Sequence, residues 1–186
     1  MKTLALYTVD AIDHLVQPAD FDGTRLTSPA LNVVTDFKQH EPNIISASSK
    51  ASDALEMMQQ EHSRLKLVVD NQAELVGLLA IEQLSEQALM RQVAFGSRRD
   101  EISVADVMRP RERIKALAYQ QLKHCTIADV VNTLQSSGEQ HCAVIDRDNH
   151  QIRGVISAQD IARRLKLPLT ICQSPTFLHI FDSISA

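Results

Sequence analysis

Few residues in this 186-residue chain have the type and spacing for chemistry, and the clearest are hydroxyl and carboxylate pairs three positions apart. Ser157 and Asp160 precede the apolar positions Ile161 and Leu165, and Thr126 and Asp129 precede Val130, Val131 and Leu134. Such a pair at a helix start forms a capping box, in which each side chain satisfies a backbone N–H that the helix leaves unpaired. Both pairs can serve that way, and Thr126 with Asp129 is assigned only that role. His124-Cys125 and His141-Cys142 contain a base and a nucleophile by type. Neighbours on a strand point to opposite faces, however, so neither couple assembles, and an exposed histidine beside a packed thiol is expected in each. The three cysteines show no CxxC spacing, which argues against a zinc site or a disulfide framework. The five glycines are scattered and make no phosphate cradle with a lysine. Arginines gather at Arg109, Arg111 and Arg113, at Arg98-Arg99 and at Arg163-Arg164. The first and last of these suit either solvent or a phosphate, and Arg98-Arg99 belongs to the linker between the halves.

The elements that must position these residues occur twice. Ala51, Ala54, Leu55 and Met58 return 76 residues later as Ile127, Val130, Val131 and Leu134, each set spaced as the buried stripe of a helix. Met57-Met58 reads as core filling on the first of them. Leu65 to Val69 and His141 to Ile145 are β-rich and lead to a polar turn, Asn71-Gln72-Ala73 or Arg147-Asp148-Asn149-His150, which predicts a hairpin into Leu75 to Leu79 and Ile152 to Ile156. The second turn is one residue longer, an insertion that a loop tolerates and a strand does not. Ile81, Leu84 and Ala88, and Ile161 and Leu165, predict a helix after each hairpin. An extra strand is expected at Ile44-Ile45-Ser46 and at Ile114-Lys115-Ala116-Leu117. The approaches also match, Ser28 to Val33 corresponding to Ser103 to Met108.

Composition narrows the class. A chain that is 44% hydrophobic with net charge −4 can bury one good core or two small ones, and it offers no basic surface for a nucleic-acid backbone. The apolar run from Leu75 to Ile81 is far short of the roughly 20 residues that span a bilayer. The expectation is a soluble, cytoplasmic protein with reduced thiols, with neither nucleic acid nor membrane as partner. No constellation of acid, base and nucleophile emerges, so no catalytic residue is assigned and a non-enzyme is expected.

Ser103-Val104-Ala105-Asp106-Val107-Met108-Arg109-Pro110, Thr126-Ile127-Ala128-Asp129-Val130-Val131, Val144-Ile145-Asp146 and Gly154-Val155-Ile156-Ser157-Ala158-Gln159-Asp160-Ile161, in this order and duplicated, resemble a pair of cystathionine-β-synthase (CBS) domains. The resemblance covers roughly residues 28 to 167. It implies an α/β fold in which two pseudo-symmetric β-α-β-β-α repeats pack as a disc. The expected organisation is an N-terminal extension over 1–27, a first repeat with its leader over 28–96, a linker over 97–102, a second repeat with its leader over 103–167, and a C-terminal extension over 168–186. In that last segment Phe177, Leu178, Ile180 and Phe181 supply apolar surface that should be buried.

What the resemblance implies for function is a stand-alone regulatory module that holds an adenine nucleotide in the second-repeat cleft and acts on a separate effector protein. No cofactor is required; AMP, ADP or ATP would be the ligand, and a homodimer is expected. Ser157 and Asp160 stand at the family's ligand signature, the hydroxyl meeting a phosphate and the carboxylate accepting the hydroxyls of a ribose. Capping and binding both remain open for this pair. The resemblance places adenine against backbone atoms of Ile114, Lys115 and Ala116 and of Cys142, Ala143 and Val144, with Arg109 near enough to meet phosphate. In the first copy Ala80 and Gln83 replace the signature, so that cleft should be empty or bind poorly. Leu67 and Ala143 stand where relatives often have proline. The alternative reading is a structural dimerisation or docking module without ligand.

Overall fold

The structure, a computed structural model, describes residues 23–166. The expectations for residues 1–22 and 167–186, including Cys172 and the apolar residues after Pro175, lie outside the described residues.

The helical stripes and β-rich runs form the elements that their periodicity predicts. A 3-10 turn at Ala30–Val33 precedes β1 (Thr35–Asp36), β2 (Ile44–Ser46), α1 (Ala51–Gln60), β3 (Leu65–Val69), β4 (Leu75–Ala80), a 3-10 turn at Ile81–Leu84 and α2 (Glu86–Ala94). The second half runs α3 (Val104–Val107), β5 (Arg109–Pro110), a 3-10 turn at Arg111–Arg113, β6 (Ala116–Ala118), α4 (Tyr119–Leu122), α5 (Ile127–Ser136), β7 (His141–Asp146), β8 (Gln151–Ser157) and α6 (Ala158–Arg164).

Two details depart from the sequence reading. Strand β6 begins at Ala116 because Ile114 still closes the 3-10 turn before it. After β4 the chain does not enter one helix: it makes a 3-10 turn, extends at Ser85, and restarts as α2 with the Ser85 hydroxyl accepting the Ala88 N–H at 3.3 Å.

There are two four-stranded sheets, ordered β2-β3-β4-β5 and β1-β8-β7-β6. Each is completed by a strand from the other half of the chain. The leader strand β1 pairs antiparallel with β8, Thr35 opposite Val155, and β5 pairs antiparallel with β4, Arg109 opposite Leu78. The leaders' helical turns cross as well, with Ala30 N–H donating to the Cys125 carbonyl and Val104 N–H to that of Ser49. Glycine at equivalent positions allows this. A Cβ on Gly154 would collide with the Thr35 carbonyl, and one on Gly77 would sit 2.8 Å from the Arg109 carbonyl and against the Met108 thioether.

Alternation along the strands sorts the side chains. On β3 and β4, Val68 and Leu79 join Ala54, Met58 and Leu84 in a core under the first copy's helices. Met57, beside Met58, is 40% exposed, so only one of that pair fills the core. On β7 and β8, Cys142, Val144 and Ile156 join Ile127, Val131 and Ile161. The opposite faces meet: Leu67 and Leu78 pack with Val155, flanked by Phe37, Leu65, Leu75 and Ile114. The two copies therefore pack sheet to sheet, helices outward, and burial of each large aliphatic side chain contributes about 1.5–3 kcal/mol.

Candidate functional site

Ser157 ends β8 two residues after Val155, so the period of the strand turns its side chain toward the seam between the sheets. His141 lies opposite it in the register of β7, on the same face. The seam opens there into a cleft of about 260 Å³. Its second-copy wall is His141, Val155, Ser157, Gln159, Asp160 and Arg163; the facing wall is Asn43 and His62 to Leu65 with Leu67, and Thr35, Phe37 and Glu41 of the first leader close one side.

Both readings of Ser157 and Asp160 have a basis in this geometry. Ser157 Oγ accepts the Asp160 N–H at 3.1 Å, which caps α6, and donates to Asp160 Oδ2 at 2.8 Å. The reciprocal bond from the Ser157 backbone is absent, whereas Thr126 N–H reaches Asp129 Oδ2 at 2.8 Å and Ser103 N–H reaches Asp106 Oδ2 at 2.8 Å. Thr126 and Asp129 thus form a closed capping box, as expected. Asp160 instead gives its second oxygen to Arg163 Nη2 at 2.9 Å, and both side chains line the cleft.

Two arginines share the cleft with this carboxylate. Arg64 reaches over from the first copy, paired with Glu82 at 2.9 Å. His141 is not the exposed histidine expected from its neighbour. Burial holds its pKa below the ordinary 6.5, with Glu82 and Asp160 pulling upward and Arg109 and Arg64 downward. Cys142 faces the core, as expected of a packed thiol, and burial raises its pKa to about 12 with a further push from Glu139.

The remaining residues singled out by sequence do not line this cleft. Cys142 and Val144 point into the second copy's core. Ile114 packs in the seam, Lys115 accepts the Ala143 N–H at its carbonyl, and Ala116 pairs with Ala143 inside the sheet. Arg109 is bound to Glu139. The physical reason is the crossing of the leaders. The cleft that carries Ser157 is walled by first-copy residues, and Asn43 and Leu67 occupy the places that Lys115 and Ala143 hold in the other copy, since Ile44 pairs with Leu67 as Ala116 pairs with Ala143. The register of the repeat signals these counterparts; which copy faces which end is a property of the packing.

At the counterpart position in the first copy the polar side chains are bonded to the protein itself. Gln83 accepts the Ala80 N–H at 2.7 Å and donates to the Val107 carbonyl at 2.7 Å, so its amide is spent on the second leader. Arg109 takes the place corresponding to Thr35 and is ion-paired with Glu139, the counterpart of Ser63. Small side chains, Thr35 and Ser63, leave the second cleft open. Among the described residues there is no His, Cys, Asp and Glu cluster suited to a metal, and no helix is long and apolar enough to cross a membrane.

A family profile described as CBS domain matches residues 34–88 and 123–167. No curated protein matches the sequence. Among solved structures, a conserved CBS domain protein of Thermoplasma acidophilum is similar at 20% identity, with 82% of this chain and 78% of that one covered and a TM-score of 0.52. CBSX2 in complex with AMP is similar at 18% identity over 73% of this chain and 94% of its own, with a TM-score of 0.52. The CBS domain of a bacterial CNNM/CorC family Mg2+ transporter in complex with ATP is similar at 13% identity over 77% and 91%, with a TM-score of 0.54. At these identities the likeness is one of fold.

Proposed function

The chain belongs to the CBS domain family, and from that membership we propose that it is a regulatory module which binds an adenine nucleotide at Ser157 and Asp160 and acts, as a homodimer, on a separate partner protein. The observation that carries the reading is the difference between the clefts. The second keeps a hydroxyl, a carboxylate and arginines along a cleft, while in the first Gln83 is bonded to the second leader and Arg109 to Glu139.

Each group has work that suits its chemistry. Asp160 accepts the two hydroxyls of a ribose, releasing Arg163 for a phosphate; Ser157 donates to the ligand in place of its bond to Asp160. Arg64 adds positive charge, the buried His141 offers a neutral imidazole, and Phe37, Leu65, Leu67 and Val155 form an apolar floor for a base. The AMP and ATP complexes of the two structural neighbours support this ligand class. Regulation then follows if the nucleotide binds one state of the module more tightly than another and thereby shifts affinity for the partner.

Isothermal titration of the chain with AMP, ADP and ATP tests the proposal. One site per chain is expected, weakened at least about tenfold in Asp160→Ala through loss of charge-assisted hydrogen bonds. Folded protein that gives no heat at millimolar nucleotide overturns it and leaves a docking module.

A further inference from the structure

Lys66 is the largest charged side chain in the interior, 2% exposed, on the helix-facing side of β3 with Val68. Its counterpart on β7 is the thiol Cys142, so the lysine is not required by the fold of the repeat. Its ammonium donates to Glu61 Oε2 at 2.6 Å and to Asn43 Oδ1 at 2.5 Å. Asn43 Nδ2 in turn donates to Ser63 Oγ at 2.8 Å, and the Ser63 hydroxyl donates to the Leu65 carbonyl at 3.1 Å.

The chain of bonds has one possible direction. An ammonium has hydrogens and no lone pair, so the oxygen of Asn43 must face Lys66 and the amide nitrogen must face Ser63; the amide cannot flip. Two groups are left over on the cleft wall: the second hydrogen of Asn43 Nδ2 and a lone pair of Ser63 Oγ. They sit at the end of β3, where Leu67 N–H donates to the Asn43 carbonyl at 2.8 Å and the Ser63 hydroxyl meets Leu65. A base lying on Leu65 and Leu67 turns an edge toward them.

We infer that Lys66 and Asn43 read the base: Lys66 locks the Asn43 amide so that the wall presents a donor beside an acceptor, the complement of adenine and the opposite of guanine. The ring nitrogen of adenine accepts where Asn43 donates, and its amino group donates where Ser63 accepts. Guanine offers N–H and carbonyl in the reverse order and leaves both wall groups unpaired. The inference rests on the cleft being a nucleotide site, as proposed above. Asn43 touches the base, and Lys66 is a positioning residue behind it. In the other copy Lys115 and Cys142 hold the two places, so the device occurs once.

Calorimetric titration of the full chain with AMP and with GMP tests this, the ratio of the two constants being the readout because a purely structural role moves both together. The wild type should prefer AMP by roughly tenfold or more, the scale of one or two unmatched hydrogen bonds. Asn43→Asp, which removes the donor, and Lys66→Met, which frees the amide to flip, should bring the ratio close to one or invert it, while Lys66→Arg should retain it. Asn43 lies at the surface, so Asn43→Asp decides the matter if Lys66→Met fails to fold. Equal wild-type affinities, or a preference that survives the substitutions in folded protein, overturn the inference and leave the cleft reading standing. Absence of heat with either nucleotide overturns both.

Discussion

The two copies share a fold and differ at the ends of β4 and β8. At the end of β8, Ser157 and Asp160 face open space; at the end of β4, Ala80 and Gln83 face a leader to which Gln83 is already bonded. The same backbone plan thus leaves a cleft in one place and makes a cross-link in the other. What differs is where the local hydrogen-bonding groups are spent: Ser157, Asp160 and Arg163 bond within one helix start, whereas Gln83 bonds across to the second leader.

The comparison breaks first at the glycines. Gly154→Ala drives a methyl group into the backbone of Thr35 and should cost about 3 kcal/mol, at the upper end of overpacking penalties, as measured by urea denaturation. Gly77→Ala meets the flexible Met108 side chain as well as the Arg109 carbonyl, so its cost should be smaller. Equal penalties would mean that the two crossings are equally rigid.

Next comes the clasp of the first leader. Asp36 accepts two bonds from Arg153 at 2.7 and 2.8 Å, with both side chains largely buried and the guanidinium 4.5 Å from the Tyr119 ring centre. The second leader has Pro110 at the corresponding place and no such pair. Asp36→Asn should cost about 2–3 kcal/mol at pH 7, somewhat under the range for fully buried pairs. The hydrogen bonds from Arg153 hold the Asp36 pKa below the ordinary 3.8. A carboxylate depressed in the folded state stabilises above its unfolded pKa and loses that effect as pH falls through the folded one. The gap in stability between wild type and Asp36→Asn should therefore be constant above about pH 5 and shrink below about 3.8; a gap independent of pH would refute the assignment.

The smallest effect lies where each long helix turns back toward its hairpin. His62 has φ 51° and Gly138, its counterpart, φ 69°. Left-handed backbone costs a side-chain-bearing residue about 1 kcal/mol, so His62→Gly should raise stability by up to that amount and Gly138→Ala should lower it by a similar one. Thermal denaturation of the pair of variants measures both.

Most of the fold was legible because the repeat doubled every signal: a helical stripe or a β-rich run found once was found again 76 or 77 residues later. Ser157 and Asp160 were legible for the same reason, since their side-chain chemistry and their place after β8 are both local. The rest of the cleft was not. Asn43, Ser63 and Phe37 lie about a hundred residues from Ser157 in the chain, and only the crossing of the leaders brings them opposite it. The backbone places expected at Ile114 to Ala116 and Cys142 to Val144 do not line the cleft beside Ser157, where their first-copy counterparts Asn43 and Leu67 stand, because pairing within a repeat is readable from periodicity and packing between repeats is not. Lys66 carried a visible anomaly, a charge in mid-strand where its counterpart is a thiol, but its partners come from two separate loops.

The exchanged leaders have a consequence for how such a molecule can be taken apart. Each half carries the strap that fastens the other, so nicking the peptide between Gly96 and Ser103 should not release two independent pieces but leave a buckled pair, held by β1 on β8 and β5 on β4. Expressed singly, either piece would bare the backbone edge that its missing strap covers, an invitation to pair with whatever strand comes next. Shuffling one copy without its twin would thus yield a sticky fragment, which gives a physical reason for the two to travel together.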